Sequence, residues 1–166
     1  AEDAKWQNIE GILARWIMAY PESVVANLMS GYQYFMRARY LHLEAPGSAT
    51  LMLEQLNDKI GSGYLNKAKE VLERNKEFSS KDVLWLTTMM EIGRFQASPR
   101  AELDKFFYEA AKRDPYLWIN YFCSMRELMP NWGSGGALAD ELEKHAQTAV
   151  EFTREIEGEA LYALVY

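Results

Sequence analysis

Apolar side chains recur along this chain at steps of three and four residues, the spacing that gathers them on one face of an α-helix. Trp6, Ile9, Leu13, Trp16 and Ile17 make the first such face. Pro21-Glu22-Ser23 stops it and restarts the chain as a second helix over about Ser23–His42, since proline suits the first turn of a helix and not its interior. Ala45-Pro46-Gly47-Ser48 breaks that helix. A third is predicted from about Thr50 to Ile60, ended by Gly61-Ser62-Gly63, and a fourth from Leu65 to about Lys76 with Ala68, Val71 and Leu72 inward. Ser79-Ser80-Lys81-Asp82 offers hydroxyl and carboxylate caps to a fifth, about Val83–Gln96.

Ser98-Pro99 opens a sixth helix, to about Arg113, with Ser98 as its cap and Glu102 placed to reach back toward it. Asp114-Pro115 opens a seventh, to about Met129. The loop Pro130-Asn131-Trp132-Gly133-Ser134-Gly135-Gly136 precedes an eighth, about Leu138–Glu157, and Gly158 separates it from the apolar segment Ala160–Tyr166. That last segment either docks on the core or marks a cut in a longer chain. No run alternates apolar and polar residues between turn signals, so no sheet is expected. The predicted class is all-α, with about eight helices.

The junctions between helices repeat. Leu13-x-x-Trp16, Leu72-x-x-Asn75 and Phe107-x-x-Ala110 are each followed five residues later by a helix-opening residue, at Pro21, Ser80 and Pro115. The last two anchors lie 35 residues apart, close to the 34-residue tetratricopeptide period. The expected architecture is therefore a set of antiparallel helix pairs stacked as a tetratricopeptide-like array. Such arrays leave grooves that hold peptides, helices or protein surfaces.

Composition narrows the function. The 166 residues, 49% hydrophobic, suit one helical domain over 1–166, with a cut at either end left open. A formal charge of −6 argues against nucleic acid, which needs a basic footprint, and no apolar run approaches the roughly 20 residues of a membrane span. Residues 1–100 carry 12 acidic and 12 basic side chains, whereas 101–166 carry 12 and 6. That acidic last third is either a solvated helix face or an electrostatic guide for a basic partner. The compartment stays open between the cytoplasm, which is favoured, and the periplasm, which requires a removed leader before Ala1.

Several motifs taken together resemble a bacterial family, the domain of unknown function numbered four thousand and thirty-four. They are Leu13-x-x-Trp16 with Tyr20-Pro21-x-Ser23, then Ala38-Arg39, Ala68-x-x-x-Leu72 and Ala110-x-x-x-Asp114-Pro115-Tyr116. Leu128-x-Pro130-x-Trp132-Gly133-Ser134 and Glu157-Gly158-x-x-Leu161-Tyr162-Ala163 follow in order. The resemblance implies a helical, tetratricopeptide-like fold and supplies no catalytic residues.

The inventory for chemistry is thin. A di-iron bundle needs two Glu-x-x-His pairs, and this chain has two histidines in all, with only Glu141-x-x-x-His145 at helical spacing. Cys123 sits among aromatic residues, so a packed thiol is expected rather than a nucleophile or zinc ligand. Neither Gly61-Ser62-Gly63 nor the 133–136 glycines follow a strand or carry a phosphate-binding lysine. No catalytic residue, cofactor or metal is therefore assigned. The expected function is a non-enzymatic protein- or peptide-binding module, such as a bacterial immunity or adaptor protein masking a toxin or secreted effector. The alternative is a small helical enzyme or ligand-binding domain with a pocket between helices.

Aromatic crowding marks the candidate partner surface. Tyr32 and its neighbours crowd the second helix, and Tyr116, Trp118, Tyr121 and Phe122 wrap more than one face of the seventh. Such rings either fill the space between helices or anchor a partner, where Trp and Tyr dominate binding energy. Arg39, beside Tyr40, is placed to stack on an aromatic ring, and Trp132 in its loop either pins that loop or presents an anchor. With Glu151 and Glu155 from the acidic helix, the candidate partner-binding set is Tyr32, Arg39, Tyr116, Trp118, Tyr121, Trp132, Glu151 and Glu155.

Overall fold

The computed structural model describes the backbone of residues 2–43, 51–125 and 139–165, and the side chains of 4–41, 59–125 and 140–163. Every regular element among them is a helix, as the spacing of apolar residues predicts: α1 (Glu2–Ala19), α2 (Val24–Leu43), α3 (Leu51–Arg74), α4 (Lys76–Ser79), α5 (Val83–Phe95), α6 (Arg100–Arg113), α7 (Trp118–Met125), α8 (Ala139–Glu157) and α9 (Ala160–Val165). The chain divides into two compact units, Ala1–Thr88 and Met89–Tyr166.

In the first unit α2 lies between α1 and α3. Ser23, at the expected start of the second helix, caps α2, its Oγ accepting from the Ala26 amide at 3.3 Å. The Asn27 carboxamide donates back to the carbonyls of Pro21 and Ser23, which fixes the turn from α1. α2 and α3 run antiparallel: Asn75 donates to Ser30, while Tyr34 stacks on Tyr64 farther along. What lets them approach is a small residue. A Cβ on Gly31 would sit 2.5 Å from Leu72 Cγ and 3.3 Å from the Ala68 carbonyl oxygen. Ala38 and Ala68 are fully buried on the same two helices.

The expected break at Gly61-Ser62-Gly63 does not occur, because α3 runs through it. Gly61, Leu65, Ala68 and Leu72 are all buried and follow steps of four, three and four residues, so the glycine belongs to the packed stripe. Continuing that stripe outweighs a helix penalty of about 1 kcal/mol per glycine. After α3 the single turn α4 tucks Ser79 inside, where its hydroxyl donates to the Asn75 carbonyl at 2.9 Å, so Ser79 is not a cap for the next helix. Asp82 is that cap, accepting from the Leu84 amide at 2.8 Å.

The second unit closes around Met90, Leu103, Phe107, Tyr121, Ala149 and Leu161. Cys123 is buried in the same cluster, as expected for a packed thiol. Leu161 docks the terminal helix α9, and Tyr162 donates to Glu143 of α8 at 2.7 Å. Gly158 ends α8 with φ 58°, in the left-handed region that glycine enters freely.

Ser98 does not cap α6, whose first turn has no side-chain cap. Its amide instead finishes α5, donating to the Gly93 carbonyl at 2.9 Å while Ala97 donates to Arg94 at 3.1 Å. This pair of bonds closes a helix with a left-handed residue, here Ala97 at φ 53°. The expected end of the seventh helix near Met129 and the loop containing Trp132 lie outside the described residues.

Three substitutions test these assignments by chemical denaturation. Gly31→Ala should lose about 1–3 kcal/mol from overpacking, whereas Gly63→Ala, with open space around its Cβ, should gain about 0.5–1 kcal/mol from helix propensity. Ala97→Gly should stabilise the second unit by about 1 kcal/mol by relieving the left-handed backbone. Loss of stability on Ala97→Gly would contradict the assigned turn.

Candidate functional site

Among the described residues of the first unit, α1 carries a row of exposed apolar side chains. Seven apolar residues (Trp6, Ile9, Ile12, Leu13, Trp16, Ile17 and Tyr20) fall within an arc of about 140° at roughly 100° per residue. The chain covers only one side of this arc. Leu13 is buried and Trp6 and Ile17 are half-buried, while Ile9, Ile12, Trp16 and Tyr20 are exposed, Tyr20 at 66%. Trp16 and Ile9, expected on one face with Leu13, lie instead on the exposed part of that face. Tyr20 continues the helical turn, its amide donating to the Trp16 carbonyl at 2.8 Å. The four side chains extend over about 16 Å. Patches of this kind on a folded unit mark contact with another macromolecule more often than scattered single residues do.

Beside this stripe, Glu10 is half-exposed and reaches across to α2 and α3. It accepts from the Tyr34 hydroxyl and lies 3.8 Å from Lys67. Lys67 also covers the Tyr34 ring, and Arg37 covers Tyr64 at 4.2 Å. Burial, reinforced by the bond to Glu10, raises the Tyr34 pKa, and the bond to Tyr34 raises that of Lys67. These ring contacts join α2 to α3, a pairing invisible in the local sequence around Arg37. A groove of about 360 Å³ borders them, with Gln33, Lys67, Arg74 and Asn75 among its lining.

The second unit holds a smaller, charged recess of about 220 Å³ between α6 and α8. Arg100, Asp104, Phe107 and Tyr108 line it from α6, and Glu141, Lys144, His145 and Thr148 from α8. Arg100 pairs with Asp104 at 2.7 Å. His145 is 6% exposed and packs on Phe107 with ring centroids 5.0 Å apart. Its Nε2 lies 3.3 Å from the Tyr121 carbonyl oxygen, which can only accept, so Nε2 carries the proton. Nδ1 is then the acceptor facing the Ser124 hydroxyl at 3.5 Å.

A Ser–His pair of this polarity is the start of a nucleophilic dyad, yet Ser124 is buried at 4% and does not line the recess. With both ring nitrogens engaged inside, the pair ties α7 to α8. Among the described residues no group of three His, Cys, Asp or Glu side chains is placed to hold a metal ion. No described helix is long and apolar enough to cross a membrane.

The residues expected from the sequence are distributed between the units. Tyr32 and Arg39 are half-buried on α2, with the Tyr32 ring tilted against Phe35. Tyr116 and Trp118 are exposed where the turn after α6 enters α7, and the Tyr116 amide donates to Asp114 at 3.1 Å. Tyr121 does not join them on the surface. It is 4% exposed, packs edge-on to Phe107 and donates its hydroxyl to the Pro115 carbonyl at 3.0 Å. Burial, with Asp114 and Tyr116 nearby, pushes its pKa up to about 12. Glu151 and Glu155 are exposed one turn apart on α8, and Trp132 lies outside the described residues. In the sequence the α1 residues read as one helix face and not as a partner surface, because an arc of this width is also what a core-facing helix shows.

Comparison with family models, curated proteins and solved structures finds no match to this chain.

Burial lowers the His145 pKa, with Arg100 opposing protonation further while the Tyr121 carbonyl and Asp104 favour it. The neutral ring is thus preferred in the folded state. Its contribution to stability is complete above the unfolded value near 6.5 and is lost as pH falls below that toward the lower folded value. The expected slope is at most about 1.4 kcal/mol per pH unit. Urea titrations at pH 7.5 and 5.5 should show this loss, and His145→Gln should remove it. A His145 proton-NMR titration with a midpoint above 6.5 would overturn the assignment.

Proposed function

We propose that this chain is a non-enzymatic helical module that binds a protein or peptide partner. The observation that carries this reading is the exposed row Ile9, Ile12, Trp16 and Tyr20, a ready apolar contact surface with two aromatic anchors. Tyr116 and Trp118 offer a second pair of exposed rings in the other unit. The resemblance to tetratricopeptide-like arrays points the same way, since such folds hold other chains rather than transform them. A bacterial immunity or adaptor protein masking a toxin or secreted effector is the specific form we favour. In that form the acidic last third steers a basic partner, and association slows as salt rises.

The charged recess beside His145 favours a second reading, a small-ligand domain, which a bound compound in native mass spectrometry would support. The first reading is tested by affinity capture with the wild-type chain and with Trp16→Asp and Ile12→Asp. Both positions are exposed, so both variants should keep the wild-type circular dichroism. Capture of the same partner should fall about tenfold or more in each. Capture unchanged in both variants would refute the α1 surface as the site.

A further inference from the structure

The groove between α1 and α3, floored by α2, holds a polar side chain that the fold does not use. Gln33 is 8% exposed and lines the groove, and its carboxamide has no hydrogen-bond partner among the described residues. Leaving a buried amide unpaired costs stability, so its place facing a cavity points to a ligand. The carboxamide offers N–H donors beside a carbonyl acceptor. A peptide group answers both halves at once, whereas a carboxylate or an ammonium answers one. The groove sets the shape of that peptide. From the cluster of Glu10, Tyr34 and Lys67 it follows α1 to Ile17, about 10 Å, the reach of three residues of extended chain. A helix is about 10 Å across, too thick for a space of about 360 Å³. The two walls differ in chemistry. Leu13, Ala14 and Ile17 make the α1 side apolar. Glu70 and Arg74, one turn apart on α3, are exposed and form no ion pair among the described residues. Side chains of an extended strand alternate between two sides, so a peptide with apolar and charged residues in alternation fits both walls.

We propose that this groove takes an extended peptide of alternating apolar and charged residues, one of whose main-chain amides pairs with Gln33; this names a ligand class for the binding module proposed above and rests on that reading. The probes are the capped pentapeptides acetyl-Val-Lys-Val-Glu-Val-amide and acetyl-Val-Glu-Val-Lys-Val-amide, with the non-alternating acetyl-Lys-Glu-Val-Val-Val-amide as control. In NMR titrations of the isotope-labelled intact chain, both alternating peptides should shift the Gln33 side-chain amide signals, which Gln33→Leu identifies by their loss. One charge order should bind about threefold more tightly than the other, and joint Glu70→Arg and Arg74→Glu substitution should reverse that preference. Gln33→Leu should bind both about tenfold more weakly. It should nevertheless melt no lower than the wild type, because an apolar group of like size replaces an unpaired buried carboxamide.

Unmoved Gln33 signals, equal binding of the control, or a preference indifferent to the charge exchange would each overturn the proposal. So would a lower melting temperature in Gln33→Leu, because Gln33 would then be serving the fold. Failure here is separable from failure of the binding reading. Partner capture that falls in Trp16→Asp while the peptides do not bind keeps the module and removes the groove. Capture indifferent to Trp16 and Ile12 while the peptides bind removes the exposed row and keeps the groove.

Discussion

The close approach of α2 and α3 at Gly31 is the constraint on which the first unit depends. Leu72 fills the space where a side chain on residue 31 would stand. That single absence sets the separation of the two helices and so decides which longer side chains meet across them. Tyr34 reaches Tyr64 and Lys67 because the backbones are near, and Glu10 is then drawn from α1 into the same polar cluster. Glu10 stays about half-exposed in this cluster, while Ile9, Ile12, Trp16 and Tyr20 remain exposed on α1. A packing requirement on one helix pair thus reaches a side chain of a third helix.

The second unit uses a different device. Its helices α7 and α8 are joined through a buried imidazole whose two nitrogens face a carbonyl and a hydroxyl. A leucine in that place would pack without fixing a rotation of α8 against α7. The neutral, singly protonated ring specifies both partners at once, because one nitrogen must donate and the other must accept. The recess outside this joint is walled by charged side chains from α6 and α8, with Phe107, Tyr108 and His145 among its lining.

Much of the helical architecture is legible in the sequence because the apolar period is nearly unbroken. Ser23, Asp82 and Gly158 mark element ends by local chemistry, and each acts where it stands. Gly61-Ser62-Gly63 misleads because local propensity ranks below the buried stripe running through it. Ser98 misleads because its amide is taken by the preceding helix before it can serve the next. The candidate site is less legible. A tyrosine such as Tyr121 reads the same whether it fills a core or an interface, and only the Phe107 ring and the Pro115 carbonyl decide between them. For Trp16 the difficulty is the reverse: periodicity puts it beside Leu13, but the described neighbours bury Leu13 and leave Trp16 exposed.

The unequal environments of the tryptophans have an optical consequence. Trp85 is buried, and its indole N–H donates to the Leu72 carbonyl at 3.1 Å. Trp16 and Trp118 are exposed at 40% and 42%, one on each unit. Emission from Trp85 should therefore lie to the blue of theirs and be less quenched by iodide. The indole of Trp85 is a built-in gauge of α3 packing, readable without any attached dye.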